Sequence, residues 1–179
     1  NGQYANVSNS EMLTAALNGL VERYNLQDKR LGEVVAGAVI KLSRDINLTR
    51  ECVLSTALSP QTPAYDVSQA CATGLQAAFA VSNKIALGLI DSGIAGGVDT
   101  TSDAPLGIGD GLRKALLKLN NAKTNKDRLQ ALLSINPKDL IDAPQNGEPR
   151  TKLSMGEHQA ITALEWAITR EAQDEFTFN

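Results

Sequence analysis

These 179 residues predict an α/β domain with a largely parallel sheet. Two observations carry that expectation. Short, near-continuous apolar runs rich in Val, Ala and Ile alternate with longer segments whose apolar residues recur at helical spacing. The helical segments over 47–58 and 71–89 each lie between two runs, where they can supply the right-handed crossovers that parallel neighbours need.

The elements follow in order. Ser8 and Glu11 have capping-box spacing, and Met12, Leu13, Ala16, Leu17, Leu20, Val21 and Tyr24 then share one helical face. Residues 33–40 form a short Val- and Ala-rich run that reads as a buried strand. Residues 47–58 read as a helix closed before Pro60. Residues 64–69 read as a strand, 71–89 as a long helix of small apolar residues, and 92–98 as another buried strand. No strand precedes the first helix, so the expected sheet lacks an opening strand.

Composition changes after Asp99. Gly107, Gly109 and Gly111 suggest a flexible passage, and short amphipathic helices are expected over 113–119 and 126–133. Pro137, Pro144, Gly147 and Pro149 punctuate a loop-rich stretch before helices over 157–167 and 170–176. The expected division is an α/β domain over 1–106 and a helical, loop-rich insertion over 107–179, with no return strand.

Charge and composition exclude several classes. A net charge of −3 argues against a general nucleic-acid or anionic-membrane surface, and 4% aromatic residues are too few for a base-stacking platform. Cys52, Cys71 and the single His158 cannot build a four-ligand structural zinc site without carboxylates, and they form no disulfide framework. The most apolar stretch contains Ser82, Asn83 and Lys84, so no membrane span is expected. No signal peptide is visible. The expected compartment is cytoplasmic, or an organelle matrix.

Cys71 is the best candidate for chemistry. It stands where a strand is expected to end and a helix to begin, in Tyr65-Asp66-Val67-Ser68-Gln69-Ala70-Cys71-Ala72-Thr73-Gly74. That position lies at the carboxyl edge of a parallel sheet, where open α/β folds place their sites. A helix N-terminus aimed at the sulfur favours thiolate, the nucleophilic form, and small neighbours leave room for a substrate. A buried structural cysteine at a helix start fits the same pattern. His158, the only histidine, reads as a polar loop or helix-start residue, and Cys52 as an ordinary helix residue. Asp66, Asp99 and Asp103 read as capping and turn residues beside the candidate site. Residues 107–111 lack the Gly-Lys-Ser/Thr ending of a phosphate loop and read as a hinge. Arg113, Lys114, Lys118, Lys123, Lys126, Arg128 and Lys138 form a basic stretch, either a solvated face or an attraction for phosphates.

Four landmarks in order resemble the thiolase family. Residues 64–77 resemble its nucleophile motif. Gly93-Ile94-Ala95-Gly96-Gly97-Val98-Asp99, followed by Ser102-Asp103-Ala104-Pro105, resembles its next strand and turn. Leu153-Ser154-Met155-Gly156-Glu157-His158 resembles the Met-Gly motif of the loop domain, and residues 169–176 resemble the helix after it. Residues 114–142 look most like the long-chain 3-ketoacyl-CoA thiolases of fatty-acid β-oxidation. The resemblance implies a thiolase-like layered fold, N-terminal half only, with the loop domain as the insertion. The family's Gly-His-Pro histidine, second catalytic cysteine and Asn-Glu motif have no counterpart at His158, Cys52 or elsewhere in these residues.

The resemblance also implies roles. Cys71 matches the acyl-accepting nucleophile, with its N–H as half of an oxyanion hole, and Met155 matches a residue lining the acyl and pantetheine pocket. The implied reaction is acyl transfer between coenzyme A and a 3-ketoacyl-CoA through an acyl-cysteine, in the thiolytic or the Claisen direction. Coenzyme A is a substrate, and no metal or redox cofactor is implied. Family habit implies a homodimer or homotetramer, and the β-oxidation likeness a hydratase/dehydrogenase partner subunit. Two other readings stand beside this one: a β-ketoacyl synthase-type condensing enzyme, and a non-catalytic acyl-CoA- or lipid-binding thiolase-like protein.

Overall fold

The computed structural model describes residues 2–143 and 145–179, so the turn expected at Pro144 lies outside the described residues. The chain forms two compact units, Asn1–Leu106 and Gly107–Asn179.

The first unit is organised by one strand. β1 (Glu33–Ala36) is buried at all four residues and pairs in parallel with β2 (Ala64–Asp66) on one side and β3 (Gly93–Ala95) on the other. The order β2-β1-β3 dictates the layering. The step from β1 to β2 and the step from β2 back across to β3 run in opposite directions. Right-handed crossovers therefore put α2 (Leu48–Leu54) and α3 (Thr73–Ala86) on opposite faces. Side chains alternate accordingly. Val34 and Ala36 join Leu13, Leu17 and Val21 of α1 (Asn9–Arg23) and Leu48, Cys52 and Val53 of α2. Val35 faces the other way, onto Ala77 and Val81 of α3.

Local chemistry sets the element ends. Ser8 and Glu11 close the expected capping box: the Glu11 N–H donates to Ser8 Oγ at 3.3 Å, and the Ser8 N–H donates to Glu11 Oε2 at 2.8 Å. α3 ends at Gly88, whose φ of +68° only glycine takes without strain, while the Leu89 N–H returns to the Lys84 carbonyl at 2.9 Å. The first helix, the three strands and both crossover helices stand where the sequence places them, though each is shorter. The strands stop early because their carboxyl ends turn outward into polar loops.

Those loops are tied together at the edge of the sheet. Asp66, the last residue of β2, accepts the backbone N–H groups of Leu48 at 3.1 Å and Thr49 at 2.8 Å and pairs with Lys41 Nζ at 2.7 Å. It thereby caps α2 from another element. Asp99 accepts the N–H groups of Val39 at 3.0 Å and Ile40 at 2.7 Å. Asn9 of α1 donates from Nδ2 to the Ile40 carbonyl at 2.7 Å. The capping expected of both aspartates is present, spent on segments distant in sequence.

The second unit departs more from expectation. β4 (Gly107–Ile108) pairs antiparallel with β5 (Ile141–Asp142) in a two-stranded sheet separate from β2-β1-β3. Gly109 is the N-cap of α4 (Asp110–Asn121). A Cβ at Gly111 would sit 2.7 Å from that of Asp139, so this glycine permits close packing where a hinge was expected. α5 (Asn125–Leu133), a 3₁₀ turn at Pro137–Asp139, α6 (Met155–Glu165) and α7 (Arg170–Phe178) complete the unit. Ala115 and Ala131 are its buried apolar residues among those described.

Two measurements test this account. Leu17 is 2% exposed, so Leu17→Ala should lower the unfolding free energy by about 2–5 kcal/mol in urea titrations. A loss under about 1 kcal/mol would mean that α1 does not close this core. For Asp66, burial opposes the charge, but the Lys41 ammonium and the N–H groups of Thr49 and Leu48 outweigh it and hold the carboxyl below its ordinary range. Folding therefore gains from Asp66 above its unfolded pKa, about 3.9, and loses that gain as pH falls through the lower folded value. Asp66→Asn should cost about 1–2 kcal/mol at pH 7 and flatten the acid limb of a stability-versus-pH curve. An unchanged acid limb would show that Asp66 is not the titrating group.

Candidate functional site

Cys71 lies between β2 and α3, in the turn that leaves the carboxyl edge of the sheet, and it is exposed. A buried structural role does not fit that exposure. Helix α3 starts two residues later than expected, at Thr73, with Ala72 as N-cap. Cys71 therefore precedes the helix, beside its first turn. The shift has a local cause. Ala70 takes φ +45°, a left-handed conformation in which its Cβ crowds its own backbone, and this breaks helical geometry before Cys71.

The turn is closed from inside. The Ala72 N–H donates to the Gln69 carbonyl at 3.0 Å and the Thr73 N–H to the Ala70 carbonyl at 3.1 Å. Thr73, 5% exposed, has a hydroxyl that accepts the Gln69 N–H at 2.9 Å and donates to the Ala70 carbonyl at 2.7 Å. Behind the turn, the Val67 N–H donates to the Ala36 carbonyl at 2.9 Å, and the Val98 N–H to that of Gly37 at 3.0 Å. A Cβ on Gly97 would lie 3.1 Å from the Gly37 carbonyl oxygen, so the exits of all three strands meet here. Thr73, Gly37 and the left-handed conformation of Ala70 escaped the sequence reading. The available signal was a β-branched hydroxyl residue two positions after the cysteine, at a helix start.

Met155, the other expected site residue, opens α6 in the second unit. It is exposed, and the helix start beneath it is fixed by a capping box in which the Glu157 N–H donates to Ser154 Oγ at 3.3 Å and the Ser154 N–H to Glu157 Oε2 at 2.6 Å. Those bonds from Ser154 hold the Glu157 carboxyl low. Cys71 and Met155 belong to different units.

The remaining candidates have ordinary surroundings. His158 Nε2 lies 3.0 Å from Thr151 Oγ1 in the loop that leads into α6, and the Thr151 N–H and hydroxyl hold the Glu148 carboxyl low. Cys52 is buried in α2 with its Sγ donating to the Ser10 carbonyl at 3.5 Å, and burial pushes its thiol up. In the basic stretch, Asp110 pairs with Arg113 at 2.6 Å and Lys114 at 2.5 Å; among the described residues the other five cations form no ion pair. No cluster of three or more His, Cys, Asp or Glu among the described residues could hold a metal ion. No helix among them is long and apolar enough to cross a membrane.

An exposed cysteine on a strained turn between a parallel strand and a helix can act as a covalent nucleophile, because its backbone is fixed while its sulfur remains accessible. The family model described as thiolase, N-terminal domain, matches residues 1–179. The chain is 37% identical over 173 residues to a 3-ketoacyl-CoA thiolase of Pectobacterium carotovorum, covering 96% of this chain and 40% of that protein. It is 40% identical over 156 residues to the 3-ketoacyl-CoA thiolase of Aeromonas salmonicida, covering 87% of this chain and 36% of that one. The crystal structure of the Bacillus anthracis acetyl-CoA acetyltransferase superposes with a TM-score of 0.71 over 97% of this chain and 40% of that chain; at 22% identity this shows the shared fold. The chain thus spans about 40% of the length of the curated relatives it matches. With a family model matched end to end and a cysteine-bearing turn in the same layered α/β fold, this chain belongs to the thiolase family, as its N-terminal domain.

Proposed function

We propose that Cys71 is the acyl-accepting nucleophile of a thiolase that cleaves 3-ketoacyl-CoA with coenzyme A. The observation that carries this reading is the exposed Cys71 on its fixed turn at the carboxyl edge of the sheet, in a chain that matches thiolases along its whole length. In the degradative direction the Cys71 thiolate attacks the 3-keto carbon, and the bond between C2 and C3 breaks. The electron pair leaves with acetyl-CoA as its enolate, which takes a proton from a general acid supplied by the full protein. The remaining acyl group is a thioester on Cys71. The thiolate of a second coenzyme A attacks it, and Cys71 leaves as thiolate. Splitting the cleavage through a thioester replaces one difficult step by two easier ones.

The Cys71 N–H, just ahead of a helix N-terminus, suits one arm of an oxyanion hole, a contribution worth about 2.7–4 kcal/mol where such donors are removed elsewhere. Met155 lines the acyl and pantetheine pocket. The five unpaired cations of the basic stretch attract the phosphates of coenzyme A over distances of the order of a Debye length, about 8 Å at physiological salt. No prosthetic group takes part, and the protein is cytoplasmic. It works as a homodimer or homotetramer, with a hydratase/dehydrogenase subunit as a further partner. Leu75 and Phe79, one turn apart on α3, are 59% and 52% exposed, an apolar face that needs a protein cover.

Incubating the full chain with acetoacetyl-CoA and mapping the product by mass spectrometry tests this. An acetyl group on Cys71, absent in Cys71→Ala, is the expected result. A full chain that folds and takes no acyl group on Cys71 overturns the catalytic reading.

A further inference from the structure

We propose that Thr73 is a positioning residue for Cys71: its hydroxyl locks the turn that aims the sulfur and the Cys71 N–H. The inference rests on the acyl-transfer reading above and deepens it. Thr73 does not cap its own helix. A capping hydroxyl accepts an N–H two or three residues ahead of it, whereas Thr73 Oγ1 accepts from Gln69, four residues behind, and donates to the carbonyl of Ala70. Both hydrogen-bonding capacities are thus spent on the two residues before Cys71, inside a site where an unmatched hydroxyl is costly.

The other branch of the side chain is anchored to the sheet. A Cβ added to Gly37 would lie 2.7 Å from Thr73 Cγ2 and would also run into the Val67 carbonyl oxygen. The methyl therefore rests against the exit of the central strand, in space that only glycine leaves. Threonine is the residue that does both things: hydroxyl toward the turn, methyl toward the sheet. The conformation it holds is one that Ala70 would not keep unaided, since left-handed φ is disfavoured for any residue with a Cβ. Released, Ala70 returns to negative φ and rotates the peptide that leads into Cys71. The sulfur and the N–H then move together, away from a common target.

The test compares three variants of the full chain. Thr73→Val keeps the shape and removes the hydroxyl. It should lower kcat for acetoacetyl-CoA thiolysis by about 10- to 100-fold, the scale of an ångström of misplacement, with KM little changed. Thr73→Ser should stay within about threefold of wild type, because it keeps both hydrogen bonds. Thr73→Val combined with Ala70→Gly should regain much of the lost kcat, because glycine takes the left-handed conformation without a clamp. Rates are expressed per folded protein, taken from the amplitude of the cooperative unfolding transition, so a loss of folded protein alone would leave them unchanged. A wild-type rate in Thr73→Val, or an equal loss in Thr73→Ser, overturns the proposal. If wild type itself takes no acyl group, the acyl-transfer reading fails by itself. The clamp is then judged by the iodoacetamide alkylation rate of Cys71, which Thr73→Val should lower and which equal rates would refute.

Discussion

Parallel pairing of β1 with both of its neighbours is the constraint on which the rest depends. Three parallel strands must send their carboxyl ends to one edge, so three connecting loops crowd a single rim. Backbone groups there have left the sheet and need other partners. The chain meets that need with a few side chains that reach across the rim. Asp66 serves the start of α2 and Lys41; Asp99 serves the loop after β1; Asn9 reaches the same loop from α1. Charge-assisted bonds of this kind are roughly twice as strong as neutral ones, which is why two carboxylates can hold a rim built from segments about sixty residues apart in sequence.

At the opposite end of the sheet the balance differs. Glu33 opens β1 and is buried, with Oε1 lacking a partner and the other oxygen bound to Lys84 of α3. A buried carboxylate with half of its capacity unmet opposes folding unless its cation stays in place. Its hydrogen bond to Lys84 holds that ammonium above its ordinary range, and Lys84 also lies 5.2 Å from the centre of the Tyr65 ring. The contribution is therefore intact at neutral pH and fades only as pH rises through the folded value of Lys84. This end of the sheet is thus held by a buried ion pair beside main-chain bonds such as Gly32 N–H to the Ser92 carbonyl at 3.0 Å and Leu31 N–H to Thr62 Oγ1 at 3.2 Å.

Much of this was legible in the sequence because it is local. The Ser8–Glu11 box needs three residues of spacing, and the α1 stripe needs one period. Cys71 could be placed at a strand–helix junction because Val- and Ala-rich runs and turn residues mark where strands end. What escaped was tertiary. β4 and β5 are two residues each, too short to show any period, and their pairing depends on a partner more than thirty residues away. Gly111 looks flexible in sequence and is filled in space by Asp139. The helix after Cys71 was placed two residues early because no rule of propensity foretells an alanine at φ +45°. Family membership was legible only from four motifs in order, since any one of them has a bland reading.

Exposure and rigidity conflict at the nucleophile proposed for Cys71, and the first unit divides them between neighbouring residues. Cys71 is exposed, yet Thr73 is 5% exposed and Ala77, one turn further along α3, is fully buried. The stripe Thr73, Ala77 and Val81 faces the sheet, so the helix that follows the cysteine is fixed by packing on Val35 and by the clamp on Gln69 and Ala70. A sulfur carried on a freely moving loop would sample many directions and lose orientation at each encounter with substrate. A sulfur buried with its supports would be inert. Ser68 to Ala72 are exposed, and the chain passes through the left-handed Ala70 before it returns to the core at Thr73. Strain at that one position is what allows an accessible atom to stand on an immobile base.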